Sequence, residues 1–293
     1  MKKLAIALCL CLGLLCGCGR GAAKPVATVD PYAGMVQVES GFGTKMWVPE
    51  YEDVPVNLLT AADFRDGEFV GAGWTVRRGI DVSEHQGAID WPAVAASGVE
   101  FTIVRAGYRG YGQAGTLNVD NYALENLNGA YENGLPVGVY FFSQATSVEE
   151  AEAEAEFLLD ILGDVPAAVA LPVFYDWETI SEAEARTDGL DGETITDCAV
   201  AFCEKIRAAG YTPGVYAYRY LGYFDYDLRR LKDYVLWIGA VGEYPDFYYA
   251  HDLWQYSYSG SVPGIGVPVD LDLMFLPDET GAVPDTASSE ASA

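Results

Sequence analysis

Between residues 79 and 271, short runs rich in β-branched and aromatic residues alternate with longer stretches whose apolar positions recur every three or four residues. The short runs are Gly79–Val82, Phe101–Arg105, Val137–Phe142, Val173–Trp177, Gly214–Tyr218, Val235–Gly239, Leu253–Tyr256 and Val267–Leu271, and each is predicted to be a strand. Helices are predicted after the first five, at Asp90–Ala96, Asp120–Tyr131, Ser147–Leu162, Thr194–Ala209 and Asp225–Tyr234. Two of them open on a hydroxyl followed three residues later by a carboxylate, Ser147 with Glu150 and Thr194 with Asp197. That is the spacing at which the two side chains satisfy free amides of the first turn. The last three strands leave no room between them for comparable helices.

Strand–helix–strand units build parallel sheet, because the crossover must return to the same edge. The expected fold is therefore α/β, a single irregular TIM-like barrel, with an open doubly wound sheet as the competing architecture. The barrel is favoured because acidic or aromatic residues fall at the C-terminal ends of several strands, where barrel enzymes assemble their sites.

The flanks differ in character. Residues 19–76 are rich in Gly, Pro and acidic residues with scattered aromatics, and read as a linker that becomes a collar on the barrel of 77–277. The small, polar segment 278–293 is expected to be disordered. At the start, Lys2 and Lys3 precede an apolar run from Leu4 to Leu15, which has the length of a signal-peptide core and is too short to span a bilayer comfortably. It ends in Leu15-Cys16-Gly17-Cys18, which resembles the lipobox of bacterial lipoproteins and implies a lipid on Cys18. The chain is then expected on the extracellular face of the membrane, or secreted if the lipobox is not used.

Composition narrows the partners. Lys and Arg total 17 against 43 Asp and Glu, for a formal net charge of −26. No stretch is basic enough to hold nucleic-acid phosphates, and adhesion to an anionic wall by charge alone is disfavoured. Of the six cysteines, Cys9, Cys11 and Cys16 would leave with the signal, and Cys198 and Cys203 are five apart on one helix, too divergent to bridge. With only His85 and His251 and no Cys/His spacing to match, neither a metal site nor a cofactor is expected. The chain is expected to act as a monomer.

The acids carry the chemistry. Strand four runs Leu171-Pro-Val-Phe-Tyr-Asp176-Trp-Glu178. Residues two apart on a strand face the same side, roughly 6.5 Å apart at Cα, so Asp176 and Glu178 should both point into the barrel mouth. Taken alone, such a pair more often caps a loop. Asp81 at the end of strand one and Asp270 on strand eight alter the weighing, since those strands become neighbours on closure. Unpaired acids in one hollow raise each other's proton affinity. Of the aromatics at strand ends (Tyr108, Tyr140, Tyr216, Tyr218, Trp237, Trp254), we retain Tyr140, Tyr216 and Trp237 as sugar-binding candidates and assign the rest to the core. Gln86 and Gln255 are polar candidates for substrate contact, and His85 reads as a loop histidine bonded to backbone.

Together these residues resemble a known family. Gly79-Ile-Asp-Val-Ser-Glu-His-Gln-Gly87, Ile89-Asp-Trp91, Arg105-Ala-Gly-Tyr-Arg109, Gly138-Val-Tyr-Phe-Phe-Ser-Gln144, Asp176-Trp-Glu178, Trp254-Gln-Tyr-Ser257, and Val262-Pro-Gly-Ile265 with Val269-Asp270 are similar to motifs of glycoside hydrolase family 25, the lysozyme-type muramidases, in the family's order. The resemblance implies a (β/α)5β3 barrel that cleaves the β-1,4 bond between N-acetylmuramic acid and N-acetylglucosamine in peptidoglycan. The family's acids carry over to Asp81, Asp176, Glu178 and Asp270. Gly266-Val-Pro268 shortens the connection before Asp270, which leaves Asp272 as the alternative. Glu178 is expected to be the general acid. Asp176, on the same strand face, is badly placed as a nucleophile, which points to substrate assistance with retention. A catalytically silent peptidoglycan-binding lipoprotein, or a glycosidase on another N-acetylated glycan such as chitin, are the competing readings.

Overall fold

The computed structural model describes residues 30–39, 43–65, 67–163, 165, 169–181 and 184–278. The expected signal segment, its Cys18 and the tail from 279 lie outside the described residues.

Eight strands form the barrel: β1 (Trp74–Val82), β2 (Phe101–Arg109), β3 (Val137–Ser143), β4 (Val169–Trp177), β5 (Pro213–Tyr218), β6 (Val235–Gly239), β7 (Leu253–Gly260) and β8 (Val269–Pro277). All eight lie where the hydrophobic pattern predicts strands, several of them longer. Their order around the wall is β1-β8-β7-β6-β5-β4-β3-β2, and β1 pairs back onto β2, so the sheet is closed and not an open doubly wound one. Every neighbouring pair from β1 round to β7 is parallel, and β8 alone runs antiparallel to both β7 and β1.

Helices cover the outside: α1 (Trp91–Ala96), α2 (Ala123–Glu132), α3 (Val148–Gly163), α4 (Gly192–Ala208), α5 (Arg219–Phe224) and α6 (Leu228–Leu231). Two expectations are corrected here. Helix α4 begins before Thr194, because the side chain of Asp191 accepts from the Thr194 amide and is the N-cap. In place of the single helix expected over Asp225–Tyr234 stand two short ones, α5 just before that span and α6 within it. The first follows β5 directly, and Asp227 caps the second by accepting from the Arg229 amide.

Alternation along the strands separates two cores. Phe101, Ile103, Tyr140, Phe174, Tyr216, Trp237, Leu253 and Met274 form a cluster of their own, drawn from β2 to β8 at inward positions. The larger cluster packs the outward residues against the helices. Gly79 is the inward residue of β1, and a Cβ there would collide with the Phe101 ring, so the lower barrel is filled by a large side chain against an absent one.

Residues 34–73 contribute a hairpin of Met35–Glu39 with Lys45–Pro49 and a smaller one of Phe64–Arg65 with Glu68–Phe69. Their collar packs on residues 240–252, which connect β6 to β7. Asn57 Nδ2 donates to the carbonyls of Pro245 and Phe247 at 2.6 and 3.1 Å, and Tyr51 stacks on Tyr249 at 5.8 Å. Cys198 and Cys203 are buried free thiols, in keeping with their spacing.

Candidate active site

Three strands bring four acids to one rim. Asp81 lies near the C-terminal end of β1, Asp176 near that of β4, and Glu178 is the first residue beyond β4. Asp270 reaches the same rim from the start of β8, because that strand runs the other way, and it stands opposite Asp81 in the ladder. All four line a cavity of about 500 Å³. Asp81 and Asp176 form its buried base, whereas Glu178 and Asp270 are partly exposed.

Among the described residues no ion pair engages any of these acids. The arginine that acts on Asp176 is Arg105, and its guanidinium is already taken up by Asp120 at 2.7 Å and Glu84 at 3.1 Å. Proton affinities rise accordingly. Burial, then the neighbouring Asp270, lifts Glu178 to about 7. Burial lifts Asp270 to about 6. Asp176 is raised well above the usual carboxylate range by burial and then by the neighbouring Glu178. Asp81 is raised by burial and by Asp272 and Asp270, and its carboxylate accepts from Gln255 Nε2 at 2.7 Å. Among the described residues no group of His, Cys, Asp or Glu is arranged to hold a metal ion.

The profile described as Glycosyl hydrolases family 25 matches residues 80–265, well over half of the chain. The chain belongs to that family. A lysozyme of Streptococcus phage Cp-9 is 28% identical over 222 residues, covering 72% of this chain and 57% of the relative. The autolytic lysozyme of Clostridium acetobutylicum is 29% identical over 196 residues, 67% of this chain and 55% of the relative. The chain thus spans a little over half the length of these relatives. Among solved structures, the modular autolysin LytC of Streptococcus pneumoniae superposes with a TM-score of 0.58 at 26% identity, over 83% of this chain and 57% of that one. The same autolysin has been solved in complex with a synthetic peptidoglycan ligand.

In this family 25 barrel the aromatics selected from sequence, Tyr140, Tyr216 and Trp237, all border the cavity, but as its floor. Trp237 is only 2% exposed and receives the edges of Tyr140 and Tyr216 at 6.1 and 4.8 Å. The Tyr216 hydroxyl donates to Gln255 Oε1 at 2.8 Å, which orients Gln255 towards Asp81. A Cβ at Gly239 would collide with that hydroxyl, so the glycine keeps the link open. The rings with accessible area are others: Tyr218, whose hydroxyl lies 3.1 Å from Thr179 Oγ1, and Tyr258, which is 49% exposed. Tyr258 and Thr179 escaped sequence reasoning, and Tyr218 was passed over. Trp254 lies outside the barrel, donating to the Ala240 carbonyl at 2.7 Å. Tyr108 stands beneath the Arg105 guanidinium and does not line the cavity. Gln86 is occupied with the Ser83 amide and the Pro268 carbonyl, and His85 is exposed on the turn that Ser83 caps. Asp272 is wholly buried beneath the cavity and accepts from Trp237 Nε1 at 2.8 Å.

Proposed function

We propose that the protein is a muramidase that hydrolyses the β-1,4 bond between N-acetylmuramic acid and N-acetylglucosamine in peptidoglycan, acting as a monomer. The observation that carries this reading is the convergence of four unpaired acids from β1, β4 and β8 on one sugar-sized cavity, one of them half-open with a proton affinity near neutrality. The lysozyme relatives and the autolysin solved with a peptidoglycan ligand support the substrate class.

In this reading Glu178 is the general acid. Held near 7 by burial and by Asp270, it keeps its proton in mildly acidic solution, yet gives it up readily to the leaving oxygen and afterwards draws one from water. Asp176 shares its side of the cavity and cannot attack across the ring, so the acetamido oxygen of the substrate is the nucleophile. Asp176 and Asp270 orient it and balance the charge that develops, which gives net retention. Asp81, fixed by Gln255, holds the base of the cavity. Tyr218 and Tyr258 offer faces to the sugars, while Tyr140, Tyr216 and Trp237 shape the floor on which they rest. Lipid on Cys18 would hold the barrel at the extracellular face of the membrane.

Release of reducing ends from purified peptidoglycan, set against chitin, tests the assignment. Glu178→Gln should lower turnover by at least about a thousandfold while glycan binding persists. A fully active Glu178→Gln enzyme would assign the acid elsewhere, and an inverted anomeric product would end the acetamido mechanism. Retained membrane association after Cys18→Ala would remove the lipid.

A further inference from the structure

Glu178 lies one residue past the end of β4, so the strand ladder does not fix it. Its carbonyl oxygen is held from the side, by Gln144 Nε2 at 2.8 Å. Gln144 directly follows β3 and is wholly buried. Its Nε2 also donates to the Ser143 carbonyl at 2.9 Å, and its Oε1 accepts from Thr187 Oγ1 at 2.8 Å. Its own carbonyl accepts from Arg186 Nη1 at 3.1 Å. With both amide hydrogens and the amide oxygen engaged, the side chain has one orientation available, and flipping it would set its oxygen against two carbonyls.

The anchor for this link lies on α3 and β2. Arg186 Nη2 pairs with Glu150 Oε1 at 2.5 Å, Arg109 Nε pairs with Glu154 Oε1 at 2.6 Å, and Glu154 Oε2 accepts from Ser143 Oγ at 2.5 Å. Two arginines answer two glutamates, so the cluster rigidifies the wall behind Glu178. Gly115, at φ +53°, leaves the space that the Arg186 guanidinium fills. Apart from Arg186 Nε, which finds no acceptor, the buried polar atoms of this cluster are paired, and such a network specifies one geometry more sharply than apolar packing does.

We infer that Gln144 is a positioning residue for the general acid, clamping the backbone of Glu178, and that Thr187 sets the orientation in which it does so. The inference rests on Glu178 being that acid. It does not need Gln144 to touch substrate.

Steady-state kinetics on a soluble oligosaccharide of alternating N-acetylglucosamine and N-acetylmuramic acid, with thermal melts alongside, test it. Thr187→Val keeps the volume and removes the donor; Thr187→Ser keeps the donor. Thr187→Val should lower kcat about tenfold with KM held within about twofold, and Thr187→Ser should recover most of the loss. Gln144→Glu, which presents an oxygen to the Glu178 carbonyl, should lose at least as much in kcat. Unchanged kcat in Thr187→Val, equal losses in the Val and Ser variants, or a loss that merely follows the unfolded fraction would each overturn the role. Glu178→Gln assayed in parallel separates the two levels. If it is inactive while Thr187→Val behaves as wild type, only the clamp falls; if it is active, the acid assignment falls and takes the clamp with it.

Discussion

Asp272 shows how much a single side chain two positions from an acid of the rim can differ from it. Asp270 looks into the cavity, whereas Asp272 is sealed beneath, with its proton affinity lifted to about 8 by burial. Its charge in turn raises the proton affinity of Asp81 beyond what burial alone does. A carboxyl whose folded affinity exceeds its unfolded value near 3.8 contributes stability that is complete below that value and is lost as pH rises through about 8. Glu178 and Asp270 act in the same sense through about 7 and about 6. Asp272→Asn removes the titration yet can still accept from Trp237. It should therefore raise the thermal midpoint at pH 9 by roughly 5 °C and change it little at pH 4, measured by melts across that range. At this scale the four acids were legible in the sequence because each interrupts or ends an apolar strand. The choice between Asp270 and Asp272 was not, since both face inward on the same strand and only their height in the barrel separates them.

At the scale of elements, every strand of the barrel was legible, because alternation and β-branched content survive in a single sequence. Helix α5 was not: Arg219-Tyr-Leu-Gly-Tyr-Phe224 offers no capping side chain and reads as aromatic strand or loop. Tyr258 was hidden for a different reason. The β7–β8 ladder shifts register between Gln255 and Ser257 and again between Ser257 and Gly260, and such irregularities re-aim side chains without a mark in the alternation. The turn over Val262–Ile265 shows how loops at this rim are fixed. The Gly264 carbonyl accepts from the Asp90 amide at 2.9 Å, just ahead of α1, with Gly264 at φ +97°. A Cβ there would meet the Asp90 carbonyl at 2.5 Å. Gly264→Ala should cost about 2 kcal/mol or more in urea unfolding, with the slope of the transition unchanged.

At the scale of the whole molecule, charge dominates. A net charge of −26 opposes approach to an anionic cell wall. Hydrolysis of intact wall fragments should therefore speed up several-fold between about 10 and 150 mM salt, as screening shortens from roughly 30 to 8 Å, while hydrolysis of an uncharged short glycan should stay nearly flat. Equal salt responses on the two substrates would show that repulsion does not limit access. The general acidity was legible from composition alone, whereas the collar over residues 34–73 was not. Its order comes from contacts with residues 240–252, far away along the chain, and no local periodicity encodes such a partner.

The seam between β1 and β8 has a bearing on how the molecule comes into being. Trp74 pairs with Pro277, and Asp81 faces Asp270 across the same seam, so the first and last strands of the barrel must meet before its wall is complete. A polypeptide still being synthesised carries seven strands with bare edges at β1 and β7 and lacks one side of the acid-lined hollow. Assembly of the barrel and assembly of its chemistry are thus one event, timed by the arrival of the final strand.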